Sequence, residues 1–466
     1  MTTPTHDLIV VGGGPGGYVA AIRAAQLGMK VALIEREHLG GVCLNWGCIP
    51  TKALLRSAEV LNLVRSARDY GVTADGVVAD LPAMVARSRA VAAKLQAGVR
   101  GLLRKHAVEV LEGRGRLAGP QTVAVRAADG RTSERRAPHV ILATGARPRV
   151  LAGLEPDGQR VWTYREAMTP PALPRSLLIV GAGAIGIEFA CFYRSLGAEV
   201  TVVEAAERIL PVEDHEISAL AQQAFERQGM RIHTSTTVLG LERGDDGVAA
   251  VLRGAGGERA IRVERVISAV GITANIEDLG LEGTRVELRQ GHVVVDDWLQ
   301  TGEPGIYAIG DLAAAPWLAH KASHEGVICV EHLAGVAHVV PLDALRIPAC
   351  TYGQPQVASV GLTEHKAQAR GLGVRVGRFP FGANGKAIAM GDAHGLVKTV
   401  FDATSGELLG AHLIGPEVTE LIQGFGLAST LEATEAELMH TVFAHPTLSE
   451  AMHESVLQAF GRALHI

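Results

Sequence analysis

Residues 7–35 read DLIVVGGGPGGYVAAIRAAQLGMKVALIE, and the fold follows from this stretch. Val10 and Val11 end an apolar strand-like run that enters Gly12, Gly14 and Gly17, and a small-residue helical pattern follows them. Glu35 closes a second strand-like run 23 residues after Gly12. Glycines at this spacing permit a tight turn and let a pyrophosphate approach a helix N-terminus, while the distal acid can accept from ribose hydroxyls. A single such loop is weak evidence, because a glycine-rich turn without a ligand has the same composition.

A second copy removes most of that ambiguity. Residues 176–204 read SLLIVGAGAIGIEFACFYRSLGAEVTVVE, with Gly181, Gly183 and Gly186, and Glu204 again stands 23 residues after the first glycine. Later strands echo one another too: VILATGARP passes through Thr144 and Gly145, and VISAVGITAN through Gly271. Between the loops, residues 81–106 carry a helical pattern, and short strands are expected near Val108 and Val123. Further strand signals are HVVVDD at 292–297 and TGEPGIYAIGDLA at 301–313, the latter ending on Gly310 and Asp311, an acid able to reach a cofactor held by the first loop. From about Ile347 alternating strands followed by helices indicate an α+β unit. The expected fold is α/β, with two Rossmann-like dinucleotide-binding domains (1–148 and 149–275), a central region (276–346) and a C-terminal α+β domain (347–466).

Composition excludes several classes. The chain has 466 residues, 47% apolar and 20% charged, enough for several cores and unlike a disordered chain. A net charge of −5 without a Lys/Arg block lacks the footprint of a nucleic-acid binder. The uncharged stretch at 8–22 is short of a membrane span and contains five glycines and a proline. The start, MTTPTHDLIVV, has no basic segment ahead of an apolar core, so a cytoplasmic protein is expected. Five cysteines do not make a secreted disulfide framework.

The chemistry-bearing stretch is GGVCLNWGCIPTKALLRSAE, residues 40–59. Cys43 and Cys48 are five residues apart, which in an ideal helix separates their Cα atoms by roughly 8–9 Å, beyond disulfide reach. Bonding them requires a distorted turn, and Gly47 and Pro50 suit one. A thiol near a helix N-terminus also gains thiolate character, and a strained, reducible disulfide serves dithiol exchange. Two other readings stay open on spacing alone: a metal site, for which only His38 stands beside the two thiols, and two buried thiols that never bond. Cys191, Cys329 and Cys350 read as small core residues.

This segment resembles the redox-active motif of the dihydrolipoyl dehydrogenases, within the pyridine nucleotide–disulfide oxidoreductase family. The similarity extends along the chain through VILATGARP, GAGAIGIEFA, GIYAIGDLA, LAHKASHEG, FPFGANGKAIAMGD and AHPTLSEA. The resemblance implies FAD held by Gly12, Gly14, Gly17, Glu35, Lys52, Gly115, Thr144, Gly145, Asp311 and Ala319. It implies NAD held by Gly181, Gly183, Gly186, Glu188, Glu204, Val238 and Gly271, and no metal. Cys43 then meets substrate, Cys48 lies against the flavin, and Lys52 sits near Glu188. His445 and Glu450 match the catalytic base and its orienting carboxylate; read alone, a histidine before Pro446 is as readily a turn residue. The resemblance further implies an obligate homodimer, with His445 serving the other subunit's disulfide, and a lipoyl-bearing protein of a 2-oxo acid dehydrogenase or glycine cleavage complex as partner. Trp46 departs from the valine common in these enzymes. Two other functions remain: an NADPH-dependent reductase of a small disulfide, and a structural subunit of a multienzyme complex. An intact cysteine, lysine and His/Glu set argues against the last.

Overall fold

The computed structural model describes residues 5–466, so the amino-terminal reading at residues 1–4 lies outside the described residues. The described chain divides into two compact units. The first comprises residues 1–53, 82–149 and 272–343; the second comprises 54–81, 150–271 and 344–466. The glycine loops fall one in each unit, and the segment after the second loop domain returns to complete the first.

In the first unit, Leu8–Val11 pairs in parallel with Val31–Glu35 on one side and His139–Leu142 on the other. Glu109–Glu112 and Ile306–Ala308 form the two edges of the five-stranded sheet. The three inner strands are almost continuously apolar because both faces are covered, as parallel sheets with helical crossovers require. Leu8, Val10, Leu33 and Ile141 enter one core, whereas Ile9, Val11, Ile34, Val140 and Leu142 enter the other, with the period of two a strand imposes. The helices Pro15–Gln26 and Ala319–Leu333 come close enough that a Cβ on Gly326 would lie 2.7 Å from Gly16 O. The 292–297 strand signal is realised only as a two-residue pairing, His292–Val293 with Leu288–Arg289. Its second valine, Val294, instead donates its N–H to Glu287 O, and Asp296 Oδ1 accepts from Trp298 N and Gln300 N to form a turn.

The second unit repeats the core arrangement. Ser176–Val180 is central, flanked by Glu199–Val203 and Arg265–Ser268, with Arg231–His233 and Val161–Trp162 at the edges. Its fifth strand comes from before the glycine loop, while that of the first unit comes from far after it. The same unit holds an antiparallel sheet in the order Ala349–Thr351, Gln356–Gly361, Leu408–Gly415, Leu396–Asp402, Val374–Pro380. Helices Val418–Thr430 and Glu450–Ala459 pack on this sheet. The close seat of the last helix depends on Gly377, where a Cβ would stand 1.8 Å from Ser455 O. Buried Lys398 joins the two sheets' domains, reaching Asp214 and Glu364 at 2.8 Å each and Glu216 at 3.2 Å. Losing Lys398 would leave the buried Asp214 carboxylate without its cation.

Candidate active site: a cysteine pair and two glycine loops

Gly40 and Gly41 both adopt positive φ, +89° and +58°, and turn the chain into a short helix, Gly41–Trp46. Gly47 breaks it with φ −145° and ψ −117°, and a new helix, Cys48–Arg65, starts at the second cysteine. The break brings the two sulfurs within hydrogen-bonding reach of each other, which an unbroken helix would not allow. Asn45, buried between them in sequence, donates its side-chain amide to Leu39 O at 3.0 Å and Gly41 O at 2.9 Å, pinning the short helix to its own approach.

The electrostatics distinguish the two sulfurs. With the pair as dithiol, the Cys43 thiol is held strongly toward its neutral form, first by the hydrogen bond to Cys48, then by burial and by the negative charge a Cys48 thiolate would carry. Lys52 opposes these effects and Asp311 adds to them. Two facing sulfurs share one proton, so a first ionisation is favoured and a second is not. Cys48, at the head of an 18-residue helix, is the position where the helix dipole favours the charge. Asp311 lies in the turn Gly310–Leu312 after Ile306–Ala308, and burial raises its pKa while Lys321 and His292 pull it down.

Each glycine loop ends its helix without a side-chain cap. Gly14 and Gly183 are the N-cap residues of Pro15–Gln26 and Ala184–Ser195, and neither end receives a side-chain hydrogen bond. The N–H groups left there suit a pyrophosphate. Close approach is built into both loops: a Cβ on Gly17 would stand 1.8 Å from Gly12 O, and one on Gly186 1.9 Å from Gly181 O. Gly12 and Gly181 take φ of +110° and +101°. The terminal acids also hold their loops. Glu35 accepts from Gly13 N and Glu37 N at 2.7 Å each, and Glu204 accepts from Ala182 N at 2.7 Å and Ala206 N at 2.8 Å. Each carboxylate oxygen keeps a second lone pair for a ribose hydroxyl. These features fit FAD and NAD.

In the first unit, Thr144 and Asn275 exchange two hydrogen bonds, Thr144 Oγ1 to Asn275 O and Asn275 Nδ2 to Thr144 O, which hold the turn at Gly145. Gly115 packs under the central strand, where a Cβ would reach 2.8 Å from Val11. Ala319 opens the helix Ala319–Leu333, and Lys52 lies in the first turns of Cys48–Arg65. In the second unit, Glu188 is buried and accepts from Tyr352 N at 3.0 Å. Val238 stands on Thr237–Gly244 against a core that includes Val248 and Val266, and Gly271 ends the strand turn with φ +102°.

His445 and Glu450 are brought together by the last helix. His445 Nδ1 lies 2.9 Å from Glu450 Oε1, and Glu450 Oε2 accepts from Thr447 N at 2.8 Å. Thr447 N–H, followed by His445, holds the Glu450 carboxyl below its ordinary range. A carboxylate at Nδ1 favours the tautomer protonated there and leaves Nε2 open as an acceptor. His445 is exposed, with 78% of its side chain accessible.

The sequence reading missed several supporting residues, among them Asn45, Asn275 and the buried pair Lys321 and Glu325, whose atoms approach to 2.7 Å. Glu325 also accepts from Gly310 N at 2.7 Å, so the pair supports the turn that carries Asp311. The i, i+4 spacing of Lys321 and Glu325 was the available signal. Cys191 and Cys329 are buried core residues, and Cys350 is half-buried against the antiparallel sheet's core. Among the described residues no group of three or more His, Cys, Asp or Glu could hold a metal ion.

Two uncapped dinucleotide loops and a facing cysteine pair define a flavoprotein disulfide oxidoreductase. The chain belongs to the pyridine nucleotide-disulphide oxidoreductase family, whose model matches residues 6–326, with the family's dimerisation domain matching 347–456. Members of this family use FAD and NAD(H). The chain is similar to the dihydrolipoyl dehydrogenase of Zymomonas mobilis, at 56% identity over 98% of this chain and 99% of that one. It is 45% identical to the dihydrolipoyl dehydrogenase of Bacillus subtilis, over 99% of each. Among solved structures, LpdA of Mycobacterium tuberculosis superposes with a TM-score of 0.91 at 31% identity, covering 97% of this chain and 99% of that one.

Proposed function

We propose that the protein oxidises protein-bound dihydrolipoamide to lipoamide and passes the electrons to NAD, as the flavoprotein component of a 2-oxo acid dehydrogenase or glycine cleavage complex. The observation that carries this is the apposition of Cys43 and Cys48 across the Gly47 break. Full-length similarity to chains named dihydrolipoyl dehydrogenase supports the choice of dithiol. The partner subunit's His445 accepts the proton of one lipoyl thiol, and the resulting thiolate attacks Cys43 Sγ. The Cys43–Cys48 bond breaks, and Cys48 leaves as a thiolate beneath the favourable end of its helix. The second lipoyl thiol gives its proton to the departing Cys43 sulfur and attacks the lipoyl sulfur of the mixed disulfide, releasing Cys43 as a thiol and closing the lipoyl ring. FAD, held by the first glycine loop, would supply the two-electron redox chemistry that links the dithiol to NAD at the second. Lys52 offsets negative charge beside Cys43 during this sequence.

Glu204 favours NAD, because a carboxylate at that position repels the 2′-phosphate of NADP. Homodimer formation is supported by the dimerisation-domain match and by the exposed apolar residues Leu427, Leu431 and Val442 in that region. No helix among the described residues is long and apolar enough to cross a membrane, and a cytoplasmic location accords with a pair that must be reduced in each cycle. Steady-state assays with dihydrolipoamide and with glutathione disulfide, each with both nicotinamides, test the reading. Turnover of dihydrolipoamide with NAD at least tenfold above every other combination is expected. Faster turnover of glutathione disulfide with NADPH would assign the alternative reductase.

A further inference from the structure

Trp46 stands between the two cysteines, and the site as described gives it no task. Its ring carries the guanidinium of Arg89, whose carbon lies 4.7 Å from the ring centroid. Arg89 belongs to the helix Leu81–Lys105, and that helix holds the redox segment through three consecutive residues. Arg87 Nη1 donates to Ala53 O at 2.8 Å, fully buried Ser88 Oγ to Pro50 O at 2.9 Å, and Arg89 Nη1 to Asn45 O at 2.7 Å. The first two grip the helix that Cys48 begins. Only the third grips the loop between the sulfurs.

That third contact has an electrostatic consequence. Asn45 O is one of the carbonyls left open at the C-terminal end of the short helix Gly41–Trp46, the negative end of its dipole. The break at Gly47 sets this negative end next to Cys48, the site of the leaving thiolate. A cation capping it cancels part of the unfavourable field, as Arg near a helix C-terminus does generally. Burial disfavours the charged guanidinium, and the face of Trp46 restores part of what water would have given. We infer that Arg89, seated on Trp46, is a positioning residue that sets the dithiol–disulfide equilibrium of Cys43 and Cys48 by capping the loop between them with a positive charge. The inference rests on the redox role proposed for the pair.

The test is made on the FAD-loaded enzyme, equilibrated in graded mixtures of reduced and oxidised dithiothreitol, with the thiol state of Cys43 and Cys48 read by alkylation and mass spectrometry. Arg89→Met is expected to need about threefold to tenfold more reducing buffer for half-reduction, the span expected of a helix-end cation and one charge-assisted hydrogen bond. Arg89→Lys, which keeps charge but not the planar stack, falls between it and the wild type. Trp46→Phe stays within twofold of wild type, and Trp46→Val shifts in the same direction as Arg89→Met. The Trp46→Val shift shrinks when Arg89 is already Met, because the two act as one unit. Ser88→Ala removes a buried hydrogen bond from the same helix, so it lowers the melting temperature and leaves the equilibrium within twofold. Arg89→Met and Arg89→Lys midpoints both within twofold of wild type would overturn the inference. If Arg89→Met fails to retain flavin, the Arg89→Lys and Trp46→Val midpoints decide, and two unshifted values overturn it equally. A wild-type enzyme whose two cysteines alkylate fully in every buffer would instead remove the redox role itself.

Discussion

The two glycine loops share a spacing, an acid and a strand frame, but they differ in what surrounds them. The first is enclosed. A Cβ on Gly41 would stand 2.7 Å from Gly14 Cα, and one on Gly16 3.0 Å from Ala322 O, so the redox segment and the helix Ala319–Leu333 both close over it. The second is open. A Cβ on Gly183 would meet nothing within 4 Å, and Ile185 beside it is 45% exposed. Enclosure suits a cofactor that stays through every turnover, and openness one that leaves after each hydride transfer. The repeat therefore supplies one loop geometry, and the segments around it differ between the two copies.

The strongest way to break that contrast is to fill each loop. Gly41→Ala combines a positive φ with a 2.7 Å approach to backbone, so most flavin is expected to be lost, as read by the visible absorbance of the purified protein. Gly183→Ala, at φ −73° in open space, should keep full flavin content and raise the KM for NAD by no more than about tenfold. Normal flavin retention in Gly41→Ala would show that the enclosure is not what holds the cofactor. Next in size, His445→Gln should leave both loops working, with flavin and NADH-driven dye reduction intact, yet cut dihydrolipoamide turnover by ~10²–10⁴-fold. Near-normal turnover in that variant would remove His445 as the base.

A smaller effect separates the two acids. Glu35→Ala and Glu204→Ala each remove two hydrogen bonds to backbone N–H groups, so each should cost about 1–2 kcal/mol of stability in denaturant titrations. Only Glu204→Ala should narrow the preference for NAD over NADP, and a change in that ratio for Glu35→Ala would contradict the assignment of the loops. Smaller still is a pH effect confined to the second unit. Burial raises the Glu213 carboxyl to about 6 from 4.5, against opposing pulls from Ser359 and Lys366. Below pH 4.5 it is protonated folded and unfolded and contributes nothing. Between 4.5 and 6 the folded state binds more proton, so stability falls as pH rises, levelling at a cost of about 2 kcal/mol. Glu213→Gln should therefore gain on the wild type between pH 4.5 and 7.5, and an equal gain at pH 4 would contradict this cause.

Much of this was legible in the sequence because local rules dominate where glycine loops meet strands. The 23-residue spacing, the α/β reading and the C-terminal α+β unit come from periodicity and turn chemistry, which are short-range. The need for a distorted turn between Cys43 and Cys48 followed from helix geometry, and Gly47 supplies the break. The supports were not legible. Arg89 and Asn45 are 44 residues apart, and Asn275 and Thr144 131, so no local pattern links either pair. The 292–297 run, HVVVDD, misled because β-branched residues can fill a loop's buried side as readily as a strand, and Asp296 turns the chain there. The upward pull on the Cys43 pKa was not legible, because the facing Cys48 sulfur that causes it first is absent from any linear reading.

The roles of the two sulfurs are tested most directly by the visible spectra of Cys43→Ser and Cys48→Ser, recorded without substrate. Cys43→Ser leaves Cys48 as a lone thiolate at the head of its helix and should show a long-wavelength charge-transfer band with the bound flavin, while dihydrolipoamide turnover disappears. Cys48→Ser should lose both the band and the turnover. A band in Cys48→Ser and none in Cys43→Ser would reverse the two thiols, and with them the direction in which electrons enter the site.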